Sequence, residues 1–268
     1  MLLKLFLCLL GVGLCASQKE VNIESRIING KDGNKCEFPW MAFIKNYGQN
    51  IGCGGFMIDN THIMTAAHCV VVTNKTSKVS SAEPSANLYV YVGSSDLGKM
   101  TKFLVKTVTP HEMYNFITTE NDIAILTLAS PITFNDCTKP IPLVNATTKL
   151  LDEDCKVMGW GATTDSEKDA GPSTLKYATV FIHNEYKCQD LFRNKLPNLP
   201  SSIFCAKGRG GSDVCRGDSG GPLVCKKYTA KEYFVHGIVS SNLGCNSQTG
   251  FYMKVAFFIP WIQSKIAK

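Results

Sequence analysis

The sequence predicts an all-β fold, and two observations predict it. Short runs of β-branched and aromatic residues recur along the chain, each bounded by Gly, Asn, Asp or Pro. Only one stretch, at the C-terminus, carries a convincing helical pattern. Strands at this spacing with so little helix argue a barrel or a sandwich.

Taken in order, Met1-Leu2-Leu3-Lys4 and the apolar run to Leu14 read as a signal peptide over 1–17, with Cys15 and Ser17 as small residues before the break. That run is too short to span a bilayer, and no later stretch is long and apolar enough to do so. Residues 18–26 are polar and end in Arg26, which reads as a propeptide open to a trypsin-like activator. Strands are expected at 40–44, 55–58, 62–65, 88–92, 103–108 and 122–128, then at 155–159, 176–182, 222–225, 234–240 and 250–255. A closing amphipathic helix is expected over 259–267, with Pro260 tolerated in its first turn. The segment 73–87 is long and polar, and no repeat or low-complexity tract is present. Asn74-Lys75-Thr76 and Asn145-Ala146-Thr147 are glycosylation sequons.

The formal net charge is +6 and falls by one when 1–26 is removed. The lysines are scattered, so a nucleic-acid partner is excluded and only mild attraction to acidic surfaces remains. Of twelve cysteines, Cys8 and Cys15 fall in the signal segment. The rest form an even set, as a secreted disulfide framework requires. No Cys/His spacing resembles a zinc site, and no metal or other cofactor is expected.

The chemistry concentrates in Asp213-Val214-Cys215-Arg216-Gly217-Asp218-Ser219-Gly220-Gly221-Pro222. A serine becomes a nucleophile when a base takes its proton and nearby amides can bind the oxyanion that develops. The glycines permit a tight turn, on which the Gly217 and Ser219 amides can converge on one oxygen. A base and its orienter lie upstream: His68 in Thr65-Ala66-Ala67-His68-Cys69, and Asp122 in Asn121-Asp122-Ile123-Ala124. His62, His111, His183 and His236 have no comparable context.

At these residues, and at Ile27-Ile28-Asn29-Gly30, Cys53-Gly54-Gly55-Phe56, Met158-Gly159-Trp160-Gly161 and Pro260-Trp261-Ile262, the chain resembles the trypsin/chymotrypsin family of serine proteases from Ile27 to about Lys268. The resemblance implies two six-stranded Greek-key β-barrels over 27–268, with His68, Asp122 and Ser219 in the cleft between them and the C-terminal helix closing the fold. It pairs Cys53 with Cys69, Cys155 with Cys225, Cys188 with Cys205 and Cys215 with Cys245, which leaves Cys36 and Cys137 to pair with each other. It also implies that cleavage after Arg26 frees an Ile27 amine to pair with Asp218. The segment 73–87, directly after His68, is expected to overhang the cleft. The loop Ser94-Ser95-Asp96 lacks the spaced Glu residues of calcium-binding trypsins, so no calcium site is expected.

Asp213 lies six residues before Ser219, where the family places the base of its specificity pocket, and a carboxylate there selects Arg or Lys. Val214, Arg216, Ser240, Ser241, Asn242 and Gly250 are the expected substrate-binding neighbours. Ser241 stands where the family usually has Trp, and Asn242 where trypsins have Gly. The expected function is a secreted or granule-stored monomeric endopeptidase, zymogen-activated, with restricted substrate choice. Its partners are a protein or peptide substrate, an activating protease and protein protease inhibitors. The alternative is a catalytically weak homologue acting by binding, which the intact His68, Asp122 and Ser219 set disfavours.

Overall fold

The computed structural model describes residues 27, 29–74, 79–149, 154–164, 166, 171–194, 197–226, 231–242, 245, 247 and 249–267. The expected signal peptide, the propeptide and Arg26 lie outside them, as do Lys75 and Thr76 of the first sequon and the side chain of Asn242.

The first half carries β1 (Lys31–Asp32), β2 (Met41–Asn46), β3 (Ile51–Met57), β4 (His62–Thr65), β5 (Val71–Asn74), β6 (Val79–Ala82), β7 (Leu88–Val92), β8 (Thr101–Pro110) and β9 (Ala124–Leu128). Strands β2, β3, β4, β9, β8 and β7 close into an antiparallel barrel. Their inward residues, among them Ile44, Met57, Ile63, Val90 and Leu126, are fully buried, which is what alternating apolar runs require.

The second half adds β10 (Asp154–Gly159), β11 (Lys176–Ile182), α1 (Glu185–Phe192), β12 (Ile203–Gly208), β13 (Pro222–Lys226), β14 (Phe234–Asn242), β15 (Thr249–Lys254) and α2 (Val255–Ile266). The order β11-β10-β13-β14-β15-β12 closes through β11–β12 pairing, and β1 attaches outside to β11. The all-β, two-barrel architecture is therefore present.

The structure differs from the sequence reading in its helices and in segment 73–87. Helix α1 was not expected; Asn184 caps it by accepting from the Lys187 amide at 2.9 Å, and Cys188 and Phe192, one turn apart, bury its inner face. Helix α2 begins at Val255, directly after β15, so Pro260 lies in its second turn rather than its first. Strands β5 and β6 pair as a hairpin within the polar segment. Beyond it, Glu83 is buried and accepts from the side-chain amides of Asn46, Gln49 and Asn87, which holds this segment against the β2–β3 turn. None of its described residues is among those lining the cleft cavities.

Disulfides join Cys36–Cys137, Cys53–Cys69, Cys155–Cys225, Cys188–Cys205 and Cys215–Cys245.

Candidate active site

His68 follows β4 in a single 3₁₀ turn, Ala67–Cys69, and the Cys53–Cys69 disulfide ties that turn to β3. Asp122 stands at the end of the loop between β8 and β9, just before β9 begins. Its carboxylate is buried and receives three donors. Oδ1 accepts from the His68 backbone amide at 2.8 Å, and Oδ2 accepts from His68 Nδ1 at 2.8 Å and from Ser240 Oγ at 2.5 Å.

These contacts fix the charges. Burial alone would raise the Asp122 carboxyl, but the His68 charge and the His68 and Ser240 hydrogen bonds outweigh it and hold Asp122 below its ordinary value. Burial works against the His68 imidazolium too, yet the adjacent Asp122 carries its pKa above the ordinary value. With Nδ1 committed to Asp122, the other ring nitrogen is the one left to exchange a proton.

Ser219 lies on the loop between Cys215 and Gly221, which is anchored on several sides. Its carbonyl accepts from the Gly54 amide of the first barrel at 2.8 Å, and the Gly220 amide donates to Val239 at 2.8 Å. The Arg216 carbonyl accepts from the Ala162 amide at 2.6 Å. A trans peptide points its N–H opposite its C=O, so the Gly217 amide is directed away from Ala162. Gly217 and Gly220 have φ of +95° and +81°. At Gly220 a Cβ would also collide with Thr65 Oγ1 and the Gly54 carbonyl, so only glycine fits.

Ser219, His68 and Arg216 line two cavities that meet beside them. One, of about 350 Å³, also takes in Val214, Ser240 and Ser241. Gly250 stands behind that wall: a Cβ on it would approach Val214 at 3.1 Å and the Ser241 carbonyl at 3.4 Å. Asp213 is buried next to Val214 and accepts from Ser247 Oγ at 3.3 Å; it does not itself line the cavity. Arg216 reaches sideways to the carbonyls of Thr164 at 3.4 Å and Ser166 at 2.6 Å.

Sequence reasoning missed Tyr114, Phe116 and Thr119, which also line this cavity, and Ser247 beside Asp213. The signal available was two aromatics in a loop bounded by polar residues.

Asp218 is buried, and its oxygens accept from the Gly161 and Cys215 amides, both at 2.9 Å. Burial, with a smaller push from Asp213, raises its carboxyl to about 7 despite those donors. Ile27 is fully buried in the second barrel's core, which also holds Val157, Phe204 and Tyr252. The side chains of Cys53, His68 and Cys69 lie together, but the two sulfurs are bonded to each other, so no thiolate remains to ligate a metal. Asn74 and Asn145 are exposed.

Residues 27–262 match the family model described as Trypsin. The chain is 35% identical over 269 residues to Trypsin of Phaedon cochleariae, covering 97% of each chain. It is 34% identical over 262 residues to Ovochymase of Halocynthia roretzi, covering 93% of this chain and 16% of that protein. It is 34% identical over 251 residues to Proclotting enzyme of Tachypleus tridentatus, covering 89% of this chain and 65% of that protein.

Proposed function

Because the chain belongs to the trypsin family of serine endopeptidases, which act on protein substrates, we propose that it is secreted as a precursor, cut after Arg26, and then hydrolyses bonds after Arg or Lys. The observation that carries this reading is the buried Asp122 paired with a part-exposed His68 that opens onto the cleft Ser219 lines. In this scheme 1–17 is the signal peptide, 18–26 the propeptide and 27–268 the mature monomer, glycosylated at Asn74 and Asn145 and restrained by protein inhibitors.

His68 takes the Ser219 proton as Ser219 Oγ attacks the scissile carbonyl, while Asp122 holds the tautomer and stabilises the imidazolium. The Gly217 and Ser219 amides receive the oxyanion. His68 returns the proton to the departing amine, and water then releases the acyl group by the reverse sequence. Since His68 must be neutral to act as base and Asp122 raises its pKa, activity falls as pH drops through that raised value.

Asp213 supplies a buried carboxylate that a cationic side chain complements, whereas an apolar residue brings no opposite charge to it. Arg is favoured over Lys, because Val214 offers no hydroxyl to an ammonium and a guanidinium grips a carboxylate with its fork. Before activation, Asp218 has no Lys, Arg or His partner among the described residues. The Ile27 amine freed by the cut supplies one and steadies the Ser219 loop.

The test is kcat/KM on matched peptides with Arg, Lys, Phe or Val before the scissile bond, for the activated chain, Asp213→Ser and Ser219→Ala. Arg should lead, Asp213→Ser should abolish that lead, and Ser219→Ala should lower turnover by several orders of magnitude. A Phe or Val preference, or an Arg lead unchanged in Asp213→Ser, overturns the pocket assignment.

A further inference from the structure

The cleft divides at Ser219 into two arms of different chemistry. The arm beside Val214, Ser240 and Ser241 adjoins Asp213 and so receives the chain up to the scissile bond. The leaving amine and the residues after it must pass the other way, into the cavity of about 550 Å³ lined by Gly52, Cys53, Gly217 and the residues named next.

That second arm has an apolar floor. Phe43 meets Trp160 edge to face with ring centroids 6.1 Å apart, and Ile51 lies beside them. The Trp160 indole N–H is committed to the Ser95 carbonyl at 3.0 Å, so the ring offers the arm carbon rather than a donor. Among the described residues lining the arm, Lys45 and Arg216 carry charge and none is Asp or Glu. The Lys45 ammonium donates to the neutral Asn50 Oδ1 at 3.2 Å, and no carboxylate pairs with it among the described residues. Arg216 donates to the carbonyls of Thr164 and Ser166, so Lys45 is the cation on which the arm's selectivity rests. A carboxylate entering this arm gains Lys45, a cation with no anionic partner among the described residues, over a low-dielectric floor, and a second lysine entering it meets repulsion.

We propose that this leaving-group arm, where Lys45 stands by the Phe43–Trp160 floor with no acid among the described lining residues, selects substrates carrying Asp or Glu within the first three residues after the scissile bond. The proposal rests on the endopeptidase reading above and adds a second requirement to it. The substrate is a basic residue followed closely by an acidic one.

The experiment uses activated enzyme and peptides with Arg before the scissile bond, placing Glu, Gln or Lys in turn at each of the three following positions. At one position Glu should exceed Lys by about tenfold in kcat/KM at low salt, a preference that shrinks as salt screens it. Lys45→Glu should move that position toward Lys. Equal rates for Glu, Gln and Lys at all three positions in the wild type overturn the proposal, as does an acidic preference undiminished in Lys45→Glu. A chromogenic amide directly after Arg separates the two readings. If it is cut while the peptides show no acidic preference, only this proposal fails; if neither it nor any peptide is cut, the endopeptidase reading fails and takes the proposal with it.

Discussion

Under the proposed activation, Asp218 is the residue whose surroundings differ between the uncut and the cut chain. Its carboxylate is buried against Gly159 and Gly161, where any Cβ would strike it, and its donors among the described residues are two backbone amides. A carboxylate so placed resists ionisation, which is why its pKa is pushed up to about 7. The unfolded chain releases this proton near the ordinary value of 3.8, so the uncut fold loses stability as pH climbs between those two values. The full effect of that shift is on the order of 4 kcal/mol. The uncleavable form Arg26→Gln should therefore melt lower at pH 8 than at pH 5, and adding Asp218→Asn should flatten that difference. An equal pH response in the two forms would rule out Asp218 as its source. In the second barrel's core, Ile27 holds φ of +37°, a region that β-branched residues rarely adopt, at a cost of about 1–3 kcal/mol. Cutting the bond before it frees that residue to relax.

At the scale of elements, strand β14 determines how Asp122 is held. Its register against β15 slips between Val239 and Ser241, which leaves Ser240 as the extra residue of a bulge. A bulge re-aims a side chain, and here Ser240 Oγ reaches Asp122. Ser240→Ala should lower kcat/KM by about tenfold, the worth of a hydrogen bond to a charged group, while leaving the preference for Arg intact. A change in that preference with turnover unaltered would instead tie Ser240 to the substrate. This contact was not legible in the sequence, because it joins residues 118 apart through a register slip that no local pattern announces. His68, Asp122 and Ser219 were legible because each sits in a compact run that reads on its own. Helix α1 was not, since its eight residues bury only Cys188 and Phe192, too few to establish a period. The β5–β6 hairpin was read as polar loop because Thr, Asn and Ser fill half of its strand positions and hide the alternation. Strand β12 escaped for a different reason. It is buried along nearly its whole length, so Ile203-Phe204-Cys205-Ala206 shows no alternation to mark it.

At the scale of the molecule, the site exists only where the barrels meet. His68 and Asp122 come from the first barrel and Ser219 and Ser240 from the second, and the Gly54 amide to Ser219 carbonyl bond stitches across the seam. Barrel closure leaves few open strand edges among the described residues, which protects a concentrated protein from edge-to-edge association.

The Cys36–Cys137 disulfide, which spans 101 residues, decides what happens when the backbone is broken inside that span. Lys75 and Lys78 lie between the two cysteines, and with the proposed preference for basic residues the enzyme would nick itself there. Such a nick leaves Cys53–Cys69 wholly in the front fragment, and the other three disulfides wholly in the rear one. Cys36–Cys137 is then the single covalent tie. Aged enzyme should run as one band on a denaturing gel without reductant and as two with it. The double variant Cys36→Ser with Cys137→Ser should give two bands in both lanes. Separation of the nicked wild type without reductant would mean that this bond does not form in solution. A broken chain thus stays one molecule, and its age is written in a form that only reduction reveals.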